Sequence, residues 1–169
     1  YASLAEIDCL REEWDTALFH LNESLKRDTD NLRVRDLKAM VLRKLGAHDQ
    51  ADKLLQETLT LDPLDWWARW LRGESLICDT QAKLDIAHDL ARAGFYSEAI
   101  TVLETKAKSD GILPDQSWGA APLVAYTLGW LHELSGDRAA AREHFARGAR
   151  LSPDYCFPSR LEEILILEA

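Results

Sequence analysis

Residues 39–55 read AMVLRKLGAHDQADKLL, and the spacing inside this stretch decides the fold. Two alanines, Ala39 and Ala51, stand twelve residues apart, Gly46 lies five residues before the second, and Leu55 follows it by one helical turn. Two helices cross closely only where both carry small side chains, and a glycine between them supplies the left-handed residue that ends the first helix and reverses the chain. The stretch therefore predicts the middle of a helical hairpin.

The same frame returns along the chain. Ala5 and Ala17, Ala87 and Ala99, and Gly129 and Ala141 keep the twelve-residue spacing. Gly94 and Gly136 hold the turn position, Glu12 takes it in the first unit, and Leu21, Leu103 and Phe145 correspond to Leu55. The expected architecture is all-α, a run of helical hairpins over about 1–28, 31–61, 79–108 and 119–151. Ala17, Ala51, Ala99 and Ala141 follow one another at intervals of 34, 48 and 42 residues, so the second and third intervals exceed the first by 14 and 8. The longer insertion, around WWARWLRGESLICD, is long enough for an extra helix near 66–77. The shorter, in SDGILPDQSWGAAP, has the glycine and proline content of a loop.

These residues resemble the tetratricopeptide repeat family, whose unit is about 34 residues with small side chains at the helix crossings and a closing proline. Pro63 in LTLDPLD and Pro153 in ARLSPDY match that proline, while Thr29 and Gly111 replace it elsewhere. The resemblance implies a right-handed α-α superhelix that binds proteins or peptides in a groove. On the family template that groove is lined by Arg33, Asp36, Met40 and Arg43, then Gln81, Leu84, His88 and Ala91, then Leu123, Tyr126, Trp130 and Glu133. The Lys and Asn of the family's carboxylate clamp do not occur at their places, which argues against a chaperone-type C-terminal peptide as ligand. LDIAHDLARAGFYSEAITVLE and the sequence from Leu128 onward are also similar to the C-terminal repeats of large bacterial proteins whose β-rich domain has no assigned function. That resemblance implies a helical region within a longer protein, and a chain that opens at Tyr1 without an initiator methionine fits the same expectation.

After Pro153 the chain runs YCFPSRLEEILILEA, with Pro158 placed to start a capping helix near 158–168. A terminal cap should turn a polar face outward. Ile164 to Leu167 is apolar all round, so Ile164, Leu165 and Leu167 are expected to meet a further polypeptide. Trp66, Trp67 and Trp70 put three of the six tryptophans within five residues. Three roles stand open for them: a wedge between hairpins, a docking face for another domain or a second copy of the chain, or a platform for stacking sugars. The same is true of Tyr126 and Trp130, which share a helix face and either pack on the loop at Trp118 or form an exposed platform.

Composition narrows the function classes. Twenty basic and twenty-nine acidic residues leave a charge of -9, which repels a phosphate backbone and argues against nucleic acid. No apolar run reaches the roughly 18 residues of a membrane span. Cys9, Cys78 and Cys156 are odd in number and outside CxxC spacing, the usage of structural thiols in a reducing, cytoplasmic compartment. The five histidines, His20, His48, His88, His132 and His144, lie on different helices without HExxH spacing, and no phosphate loop or nucleophile elbow occurs. The expectation is a protein-binding scaffold with no catalytic residue, metal or cofactor. The alternative from another class is an accessory helical domain that shapes the substrate cleft of a carbohydrate-active enzyme through the Trp cluster.

Overall fold

The computed structural model describes residues 1–105 and 119–167. Among the described residues the chain is all-helical: α1 (Ala2–Leu10), α2 (Trp14–Leu25), α3 (Leu32–Lys44), α4 (His48–Leu61), α5 (Trp66–Leu71), α6 (Thr80–Arg92), α7 (Tyr96–Glu104), α8 (Ala121–Leu134), α9 (Arg138–Gly148) and α10 (Leu161–Leu167). No helix among them is long and apolar enough to cross a membrane. Trp118, most of the expected loop, the third hairpin beyond residue 105 and the cap at residue 168 lie outside the described residues.

The chain divides into two compact units. The first comprises Tyr1–Leu76 with Arg92–Phe95, and the second Ile77–Ala91 with Tyr96–Ala169. In the first, α1 pairs with α2, α2 with α3, and α3 with α4. The small residues chosen by spacing are where the helices meet: Ala5, Ala17, Ala39 and Ala51 are all fully shut from solvent. Leu21 and Leu55, one turn further on, are buried as well. Arg35 ties α3 to α4 through Nε, which donates to Thr58 Oγ1 at 3.0 Å. Phe95 belongs to this unit and stacks on Trp14, with ring centroids 5.9 Å apart.

The turns follow one hydrogen-bond pattern. Past α3, Gly46 N–H donates to Arg43 O and Ala47 N–H to Leu42 O, a Schellman closure with Gly46 at φ +77°. The same closure ends α1, where Glu13 N–H donates to Asp8 O, and here the left-handed residue is Glu12 at φ +59°. The expected helix at 66–77 is shorter for the same reason. Asp65 caps its start by accepting from Trp67 N–H and Ala68 N–H, and Gly73 at φ +82° closes it after Leu71, so residues 74–77 are not helical.

In the second unit α8 pairs with α9 and with α7, and Lys83 near the start of α6 donates to Thr105 O just beyond α7. Ala87 and Ala99 are fully buried, and Gly129 and Ala141 are buried at the α8–α9 crossing. Tyr126 lies against Gly148 in the same crossing, where an added Cβ would come within 2.9 Å of its ring. The last helix begins at Leu161 and not at Pro158. Its start is fixed by Glu163, whose Oε2 accepts from Ser159 N–H at 2.6 Å and Arg160 N–H at 3.1 Å, as the glutamate of a capping box does.

Candidate interaction site

Two predicted groove segments are covered by the chain itself. In the first unit, α5 packs on α4 and α3. Arg43 fixes it there: Nη1 donates to Leu71 O at 2.7 Å while Nη2 pairs with Asp52 at 3.0 Å. Asp36 and Met40 are buried and line no open groove, because α3 is the central helix of this unit and is enclosed on most of its sides. Arg33 remains exposed. The tryptophans of α5 do not form one exposed face either. Trp67 is in the core, Trp66 is half-buried beneath the Arg69 guanidinium at 5.1 Å, and Trp70 is half-buried.

In the second unit the face carrying His88 and Trp130 is covered by α10. His88 on α6 and Glu163 on α10 are 1% and 0% exposed, with His88 Nε2 and Glu163 Oε1 facing each other at 3.7 Å. That separation is too long for a hydrogen bond. Neither His88 nitrogen has a hydrogen-bond partner among the described residues. Burial pulls the His88 pKa below its usual value; Glu163 opposes this shift and Arg160 adds to it. Trp130 packs beside His88 with ring centroids 6.1 Å apart. Tyr126, expected on the same face, is instead turned toward α9, its ring 6.1 Å from that of Phe145.

Arg160 anchors this covering segment. Its Nε donates to Asp85 Oδ1 at 2.8 Å and its Nη1 to Asp89 Oδ1 at 2.9 Å, bridging two carboxylates one turn apart on α6. Burial alone would lower the Arg160 pKa, but Asp89 and Asp85 outweigh it and the net direction is upward. Gln81 Nε2 adds a bond to Ser159 Oγ at 3.1 Å.

Covering that face turns a different one outward. Glu163 and Ile166, three residues apart, point inward, while Leu161 and Leu165 are 78% and 68% exposed and Ile164 lies between them at 42%. Tyr155 and Phe157, just upstream, are also exposed. Leu167, expected with this group, is half-buried.

One further grouping joins residues that are far apart in sequence. Glu104 at the end of α7, His132 on α8 and His144 on α9 bring their ligand atoms within 4.8 Å of one another. The register that sets Gly129 against Phe145 and Tyr126 against Gly148 also carries His132 to His144, so the antiparallel pairing held the signal. No protein-family model matches the chain, and no curated protein matches it.

Proposed function

We propose that the chain is a non-catalytic protein-interaction scaffold of the tetratricopeptide type, its hairpins winding into a right-handed superhelix as one region of a larger bacterial protein. The supporting pattern is the recurrence of buried small residues at helix crossings and of left-handed residues at the turns. Free thiols at Cys9, Cys78 and Cys156 are in keeping with a reducing compartment such as the cytoplasm.

The observation that carries the binding role is the outward face of α10. Leu161, Ile164 and Leu165 with Tyr155 and Phe157 form a run of large apolar side chains in water, the kind of surface that another polypeptide covers. The partner is a protein: a second copy of the chain, another domain of the same protein or a separate polypeptide. The carbohydrate-enzyme reading has less support, since Trp67 is buried and Trp66 is occupied by Arg69.

A photo-crosslinker placed at position 165 should give a higher-mass adduct, and one at exposed Arg142 should give none. The double variant Leu161→Asp, Leu165→Asp should fold and lose the interaction. A chain that is monomeric by light scattering and gives no adduct from position 165 overturns the proposal.

A further inference from the structure

The cluster at the ends of α7, α8 and α9 has the chemistry of a metal site. We propose that Glu104, His132 and His144 bind a divalent transition-metal cation of the zinc type, with a fourth position that none of the described residues supplies. Four observations lead there.

The ligand atoms already lie within 4.8 Å of one another, although they come from three helices. Bonds of about 2.0–2.2 Å to a tetrahedral cation place ligand atoms roughly 3.4 Å apart. The difference is small, and Glu104, which is exposed, has the rotational freedom to close it.

The second observation is an unmet need. His132 Nε2 and His144 Nδ1 are shut from solvent and have no hydrogen-bond partner among the described residues. A buried polar atom without a partner is costly, and native structures rarely leave one unsatisfied. A cation that accepts both lone pairs removes that cost.

The rings themselves form the third. His132 and His144 stack with centroids 5.1 Å apart and planes 11° from parallel, an arrangement that two protonated imidazoles would resist.

Last, the donor set is selective. Two imidazole nitrogens and one carboxylate suit zinc and its neighbours, while magnesium and calcium require a shell of oxygens. Among the described residues three ligands are supplied, which leaves a fourth position for a further group, as in sites that bind a water or an external ligand. A cation there would tie the end of α7 to the α8–α9 hairpin.

The test uses untagged protein freed of metal by a chelator and titrated with Co2+, read by its visible ligand-field bands and by calorimetry, with Zn2+ as competitor. One equivalent should bind with tetrahedral-type absorption, and Zn2+ should displace it. Glu104→Gln and His144→Gln should each weaken binding by at least about tenfold, the scale on which even outer-shell changes act. His48→Gln, at an exposed histidine elsewhere, should leave it unchanged. Glu104→Gln alters an exposed side chain and keeps the fold, so it decides the matter even where a histidine variant does not fold. Absence of saturable binding, or binding that Glu104→Gln and His144→Gln leave intact, overturns the proposal.

Discussion

His88 Nε2 and Glu163 Oε1 face each other across 3.7 Å, with both side chains almost wholly removed from water. The pair sits where α10 closes over α6, and its energetics depend on pH. Burial lowers the His88 pKa from 6.5, so the folded chain holds the ring neutral where the unfolded chain begins to protonate it. A depressed pKa gives stability that is fully present above the unfolded value and is lost as pH falls toward the folded one. Unfolding midpoints should therefore drop as pH is lowered below about 6.5, and His88→Gln should remove part of that slope. The charged groups facing the ring, Glu163, Glu162, Asp85 and Arg160, are retained in the variant. Identical slopes for the two proteins would contradict this account.

Glu12 and Gly46 occupy equivalent turns, and exchanging their chemistry should have opposite effects. Glu12 holds a left-handed backbone that disfavours a side chain, so Glu12→Gly should gain up to about 1 kcal/mol in urea unfolding. Gly46→Ala should cost about 1 kcal/mol from backbone strain alone, since an added Cβ there meets no neighbour within 4 Å. A stabilising Gly46→Ala would contradict the turn assignment.

Cys9 is buried in α1, and its thiol pKa is pushed up to about 12 by burial, with Asp8 and Glu6 adding to the shift. The thiolate is the nucleophile, so iodoacetamide at neutral pH should leave Cys9 unmodified in the folded chain. Unfolding in urea should make it react at the rate of an ordinary thiol. Mass spectrometry of the labelled peptides reads both states, and rapid labelling of the folded chain would show that α1 is not packed as described.

Trp67 and Trp66 are neighbours in sequence with different surroundings. Trp67→Ala should cost about 3–5 kcal/mol, the range for truncating a buried aromatic. Trp66→Ala should cost clearly less, because Trp66 is only partly covered. Equal losses in thermal unfolding would argue that α5 is seated differently.

The helix crossings and turns were legible in the sequence because they depend on local spacing. Ala39, Gly46 and Ala51 state the turn, the cap and the crossing within a dozen residues. What covers the first helix of a hairpin is a long-range matter: Asp36 and Met40 lie inside the first unit, and His88 is covered by α10, which no spacing rule could place. Gly73 was a readable stop for α5, following a basic residue at the end of an apolar helix. The His132–His144 pairing needed the antiparallel register of α8 and α9, which only the contacts of Gly129 and Gly148 supply.

The most direct test of the close crossings is a double-mutant cycle between Gly129 and Phe145. An added Cβ on Gly129 would stand 2.6 Å from Phe145 Cδ1, so Gly129→Ala should cost about 1–3 kcal/mol in the native background. With Phe145→Ala already present, the same change should be nearly neutral or favourable, giving a coupling of about 1–3 kcal/mol. If the two single effects simply add, the helices do not meet there and the repeat reading is wrong.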